Sequence, residues 1–160
     1  MSIGLDCATP QLVFDRWLDD LPNLKRLVDT GIWGKLRSTD PPITVPAWMS
    51  MMTSKDPGQL GFYGLRNRVD YSYEKMATAN STFVKEPTVW DILSAQGKRV
   101  ILIGVPQTYP PKPINGESVT CFLTPSTDKQ FTYPASFRDE VQRVTGGYIL
   151  DAVNFRVDVE

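Results

Sequence analysis

"EPTVWDILSAQGKRVILIGV", residues Glu86 to Val105, is the stretch that decides the fold. Pro87 suits a first helical turn, Val89, Trp90, Ile92 and Leu93 form an apolar stripe at helical spacing, and Gly97 is a stop signal. The residues that follow, "RVILIGV", are a nearly continuous apolar run. Such a run marks a strand covered on both faces within a parallel sheet. Helix, glycine and buried strand together make one half of a crossover unit.

The same alternation extends in both directions. Towards the N-terminus, "SIGLD" is expected to end a short buried strand, with Asp6 where strand gives way to loop. Leu12, Val13, Trp17, Leu18 and Leu21 share a helical face, and "LPNLKRLVDTG" is a second helical piece with Leu24, Leu27 and Val28 inward and Gly31 as its end. "IWGKLRST" is expected to be a strand, residues 45–54 a helix, "SKDPGQLGFYG" a turn-rich loop, and residues 65–84 a hairpin or an irregular excursion. Towards the C-terminus, "TYPPKPINGES" is a loop, "VTCFLTP" a strand, "YPASFRDEVQRVTG" a helix and "GYILDAV" a closing strand. The expectation is one α/β domain over residues 1–160, with a mostly parallel central sheet and flanking helices.

Composition narrows the function classes. Charged residues make up 22% and hydrophobic ones 41%, the balance of a globular protein with a real core. No apolar run approaches the roughly 18 residues of a transmembrane helix, and no leader-like segment opens the chain, so no membrane partner and a cytoplasmic location are expected. A net charge of −1 offers no attraction to a nucleic acid polymer. Cys7 and Cys121 lack metal-site spacing and are expected to be small buried thiols. There is no histidine, which excludes a Ser/His/Asp triad, a histidine base and imidazole zinc ligands from this chain.

Any catalysis must then rest on a thiol, hydroxyl, carboxylate or lysine, or on groups from further chain, and "DPPITVPAWMSMMTS", Asp40 to Ser54, offers a hydroxyl. Thr44 stands directly before a helix, where it is expected to be the N-cap, with Pro46 at no cost in the first turn. On one reading the prolines merely set the helix direction and Thr44 caps it. On the other, a hydroxyl held at a helix N-terminus sits among unpaired amides in a positive field, where an anion binds and an alkoxide is stabilised. A threonine hydroxyl needs a base or a metal to become a nucleophile. Without histidine a metal is the more credible activator, and Asp6, beyond the end of the first strand, would be one hard oxygen ligand.

"GLDCATP" at 4–10, "LPNLKRLVDTG" at 21–31, "LRSTDPPITVPAWMSMMTSKDPGQLGFYG" at 36–64 and "GVPQTYPPKPINGESVTCFLTPS" at 104–126 resemble the type I phosphodiesterase/nucleotide pyrophosphatase branch of the alkaline phosphatase superfamily. The blocks are similar to the N-terminal part of such an enzyme. The resemblance implies an incomplete alkaline phosphatase-like α/β fold acting on a small phosphoester or nucleotide substrate. It implies a site with two divalent metal ions, zinc in the first place or manganese. Asp6 would bind one of them, and Thr44 would be both a ligand and the nucleophile that becomes phosphorylated. Asn67 lies where relatives place an amide that holds a phosphoryl oxygen, flanked by Arg66 and Arg68. The remaining metal ligands, aspartates and histidines, would come from a later, C-terminal part of the same polypeptide, so this chain alone would be inactive or nearly so. Relatives often carry glycine at the positions of Cys7 and Ser54 and histidine near Leu60.

Two other functions stay open at this level: a non-catalytic phosphate- or nucleotide-binding α/β module, and a phosphomutase-like member of the same superfamily. Asp40 is either a second carboxylate near the site or a turn former, and Tyr109 and Tyr133 either stack on a base or bury a ring.

Overall fold

The computed structural model describes residues 1–70 and 72–151. The chain divides into two compact units, Met1–Ser38 and Thr39–Glu160.

The first unit consists of a π-helical turn at Gln11–Arg16, a 3-10 turn at Leu18–Asp20 and helix α1, Pro22–Thr30. Proline occupies the first turn of α1, where its missing N–H costs nothing. The helix stops at Gly31, where a Cβ would sit 2.7 Å from the Leu27 carbonyl oxygen. Leu24 and Val28 are half-buried as expected, whereas Leu27 is exposed. Phe14 and Trp33 stack with ring centroids 4.6 Å apart. No residue of this unit is fully buried. Fewer than forty residues enclose too little volume for an interior.

Neither expected strand of the first unit forms. Residues 1–5 and 32–39 have no ladder partner, and Ile3, Leu5, Ile32 and Leu36 are exposed. A strand exists only through its lateral hydrogen bonds, so apolar alternation without a neighbour leaves extended chain.

The second unit carries the core. Helix α2, Thr44–Thr53, buries Val45, Pro46 and Met49. Val45 and Met49 pack with Leu60, Phe62, Ala79, Val84, Trp90 and Val100 in one cluster. Helix α3, Pro57–Leu60, interrupts the expected loop: Asp56 accepts from the Gln59 amide at 2.8 Å in a capping box. Strands β1, Arg66–Arg68, and β2, Met76–Thr78, pair antiparallel with Asn67 opposite Ala77, the hairpin outcome for this stretch.

Helix α4, Val89–Ala95, begins two residues after Pro87, which lies outside it. Thr88 is its N-cap, and Asp91 completes a capping box by accepting from the Thr88 amide at 2.9 Å. Trp90 turns into the core while Val89, Ile92 and Leu93 remain exposed. Strand β3, Val100–Ile103, runs parallel to β4, Gly116–Val119, and β4 runs antiparallel to β5, Thr132–Tyr133. The α/β class holds, with a small mixed sheet in the order β3-β4-β5.

Two details of the sheet differ from expectation. Strand β3 is covered on one side only, since Ile101 and Ile103 are 59% and 64% exposed. The strand expected over "VTCFLTP" lies earlier, because Gly116 opens β4 opposite Val100. Only glycine fits there: a Cβ would stand 1.9 Å from the Val100 carbonyl oxygen, and φ is +145°. From Thr120 to Thr124 the chain turns inward instead, with the two hydroxyls 2.7 Å apart.

Helix α5, Phe137–Thr145, places Val141 against Val119 and Phe131 in a second small core. The closing strand expected at "GYILDAV" is absent over residues 147–151, and its last two residues lie outside the described ones. Among the described residues no helix is long and apolar enough to cross a membrane.

Candidate active site

Residues 39–47 set the geometry around Thr44. The Asp40–Pro41 bond is cis, and a tight turn follows in which the Ile43 amide donates to the Pro41 carbonyl at 3.0 Å. The Thr39 hydroxyl donates to the same carbonyl at 2.9 Å. Ile43, extended at φ −115° and ψ 144°, is the N-cap of α2. Thr44 is thus the first helical residue and not the cap, a correction to the reading of its spacing. The reason is the Ala47 amide, which donates to the Ile43 carbonyl at 3.0 Å and closes the first helical turn one residue early.

This shift changes what the hydroxyl can do. Thr44 is half-buried, and its Oγ1 makes no hydrogen bond to the described residues. Pro46 has no N–H, and the amides of Thr44 and Val45 have no acceptor in the helix. A free hydroxyl and two free amides therefore share the positive end of a ten-residue helix. That combination suits an anionic oxygen-rich group.

Asp6 belongs to the first unit, where it ends no strand and instead opens a turn. Its Oδ1 accepts from the Cys7 amide at 2.9 Å, and the side chain is exposed. Cys7, exposed rather than buried as expected, adopts φ +59°. Cys121 is buried, as expected.

Asn67 sits in the middle of β1, half-buried, with its amide turned onto the preceding loop. Its Oδ1 accepts from the Tyr63 amide at 2.8 Å and its Nδ2 donates to the Gly64 carbonyl at 2.9 Å. The Arg68 guanidinium lies 4.8 Å from the centre of the Tyr73 ring, and Arg66 is exposed. Asp40 is exposed; Tyr109 and Tyr133 are half-buried, each followed by a cis proline.

The oxygens of Asp6 and Thr44 are hard donors of the kind divalent cations take. Among the described residues no group of three or more histidine, cysteine, aspartate or glutamate side chains gathers to hold a metal. The donor type fits, and the donor number does not reach a complete site.

One residue of interest was not foreseen. Gln107, inside "GVPQTYPP", is only 2% exposed, has φ +63°, and leaves its carboxamide oxygen without a partner. Its place between Pro106 and Thr108 in a proline-rich loop gave no signal for it in the sequence.

Neither the curated proteins nor the solved structures yielded a match to this chain. The family model described as type I phosphodiesterase / nucleotide pyrophosphatase matches residues 1–159. That span takes in both units and the whole surroundings of Thr44, and at family level it means a hydrolase of the phosphodiesterase or pyrophosphatase type. The chain belongs to the type I phosphodiesterase / nucleotide pyrophosphatase family.

Proposed function

We propose that the protein hydrolyses phosphoester bonds, in phosphodiesters or nucleotide pyrophosphates, with Thr44 as nucleophile. The observation that carries this reading is the unspent hydroxyl of Thr44 beside two unspent amides at the start of α2. A threonine in this position serves no capping role, and the family is one of phosphodiester and nucleotide pyrophosphate hydrolases.

The reaction is an in-line displacement. Thr44 Oγ1 attacks phosphorus, its proton passes to solvent, and the bond from phosphorus to the leaving oxygen breaks. The Thr44 amide would hold an equatorial oxygen as charge develops on it. Water then attacks the phosphothreonine from the side of the departed group, releases the phosphoryl product and restores the hydroxyl. Two divalent ions, zinc or manganese, would supply a lowered hydroxyl pKa and neutralise the attacking and leaving oxygens when bound. Thr44, and separately Asp6, are this chain's candidate oxygen ligands for such ions. Asn67 is a further candidate for the phosphoryl oxygen through the N–H of its amide that does not face Gly64. The other ligands would come from a further part of the same polypeptide, and the 160-residue chain by itself would turn over little or no substrate.

The test is hydrolysis of an aryl phosphodiester by the full-length protein loaded with zinc or manganese. Thr44→Ala should lower kcat by at least about a thousandfold, since no other group replaces a covalent nucleophile. Undiminished turnover by that variant rejects the assignment. The same two amides also suit a module that binds phosphate without chemistry, and calorimetry separates the two. Tight nucleotide binding by the metal-free protein, with no turnover after metal loading, favours the module.

A further inference from the structure

The loop from Gly61 to Leu65, which joins α3 to β1, is tied down along its whole length. Gly61 ends α3 at φ +76°, and its amide donates to the Pro57 carbonyl at 2.9 Å. Phe62 is 1% exposed and belongs to the buried cluster that includes Val45, the residue after Thr44. Asn67 then reaches back from the middle of β1 and grips the next two residues. Its Oδ1 accepts from the Tyr63 amide at 2.8 Å, and its Nδ2 donates to the Gly64 carbonyl at 2.9 Å. The Leu65 carbonyl accepts from the Ala79 amide at 2.8 Å, which closes the loop onto the end of the hairpin.

Tyr63 is the residue this arrangement displays. Its amide is engaged, yet its side chain is 52% exposed, and neither ring nor hydroxyl has a stacking, cation–π or hydrogen-bond partner among the described residues. An exposed tyrosine is common on protein surfaces; one whose backbone is held on both sides is not mobile in the same way. A ring on a loose loop loses much of its contact energy to ordering, and a ring on a fixed loop loses little.

We propose that Tyr63 is a specificity-determining residue that stacks on a planar aromatic group of the phosphoester substrate, a nucleobase or an aryl ring, and that Asn67 is the positioning residue that holds it there. This role rests on the phosphoester reading of Thr44: the phosphoryl group meets the start of α2, and the loop anchored in the same buried cluster meets what is attached to it. Stacking needs only a π-face, so Tyr63 selects aromatic over aliphatic esters without reading the edges of a base. The Asn67 amide hydrogen that does not face Gly64 stays available, so clamping the loop is compatible with a contact to a phosphoryl oxygen.

Calorimetric titration of the full-length protein with AMP, phenyl phosphate and inorganic phosphate tests this. The quantity read is the ratio of each ester's affinity to that of inorganic phosphate. Tyr63→Leu should lower the ratio about tenfold, whereas Tyr63→Phe, which keeps the ring, should hold it near the unaltered value. Asn67→Ala should lower it as well, and no further once Tyr63→Leu is present, because Asn67 acts through the ring. An unchanged ratio in Tyr63→Leu, or equal falls with leucine and phenylalanine, overturns the stacking role, and an additive fall in the double variant overturns the positioning role. A fall confined to AMP identifies a nucleobase as the stacked group, and one shared by phenyl phosphate identifies any aryl ring. The readout needs no turnover, so it is independent of the Thr44→Ala result. Lost hydrolysis in Thr44→Ala with an unchanged ratio in Tyr63→Leu keeps the nucleophile and rejects the stacking, and a protein that binds none of the three ligands overturns both.

Discussion

Ser54→Gly is expected to stabilise the second unit, and the size of the effect follows from local geometry. Ser54 caps the C-terminus of α2 at φ 58° and ψ 30°, the left-handed region. A residue with a Cβ pays roughly 1–2 kcal/mol to stand there, and glycine pays almost nothing. Against this, glycine makes the unfolded chain more flexible, which costs about 0.4–1 kcal/mol. Nothing else is lost: the Ser54 side chain is exposed and makes no hydrogen bond to the described residues, and its amide keeps the 2.9 Å bond to the Ser50 carbonyl. The net gain is about 0.5–1 kcal/mol. In urea, with a slope of about 2 kcal/mol per molar, the midpoint should rise by about 0.3–0.5 M. The measurement is helical circular dichroism against urea for wild type, Ser54→Gly and Ser54→Ala. Alanine keeps the Cβ and should stay close to wild type. If glycine and alanine behave alike, or glycine lowers the midpoint, the left-handed strain assigned to this position is not real.

Other perturbations probe other parts of the fold. Gly116→Ala should break the β3–β4 pairing, because its Cβ would lie 1.9 Å from backbone that cannot move without parting the strands; soluble yield and amide exchange of Val100 to Ile103 report it, with near-native protection as the contrary result. Thr88→Ala should cost about 1 kcal/mol by removing the α4 cap, while Thr88→Ser should restore most of it, both measured as urea midpoints. Burial, and after it the nearby Cys121, raises the Tyr148 pKa above its ordinary value. A folded pKa raised above the unfolded one gives stability that is complete below about pH 10 and is lost as pH climbs through the folded value. Tyr148→Phe should therefore flatten the alkaline fall in the unfolding midpoint above about pH 10, and an unchanged slope would count against that burial.

What could be foreseen from the chain divides along local and non-local lines. Helices α1, α4 and α5 were legible because periodicity and stop residues act within a few positions: Gly31, Gly97 and Gly146 each follow a helix end. The strands expected at 2–6 and 32–39 were not, since Ile3, Leu5, Ile32 and Leu36 have the right character and no neighbour to bond. A ladder partner is a property of distant sequence. Cys7 and Ser54, the positions at which the resemblance led one to expect glycine, are two of the described non-glycine residues with positive φ, at 59° and 58°. Gln107 is another, and it was missed because the burial of one amide leaves no periodic trace.

The site itself turns on one residue of register. Had Thr44 been the N-cap, its oxygen would accept from the Ala47 amide and the threonine would be explained by helix stability alone. The amide of Ala47 is instead taken by the Ile43 carbonyl, and the residue before it is Pro46, which has no hydrogen to give. Ile43, as the cap, has no side-chain oxygen for Val45 either. So the three positions that would ordinarily consume one another's hydrogen bonds leave the hydroxyl and amide of half-buried Thr44 and the amide of buried Val45 without a partner in the helix. Pro41 and Pro46 produce this arrangement from opposite sides, the first within the turn that delivers Ile43 extended and the second by deleting a donor. Each charged oxygen that meets such donors gains about 1.5–3 kcal/mol per hydrogen bond, more than the roughly 1 kcal/mol a cap contributes. On the proposed reading, a phosphoryl group bound at this helix start would return the stability it forgoes by lacking a cap.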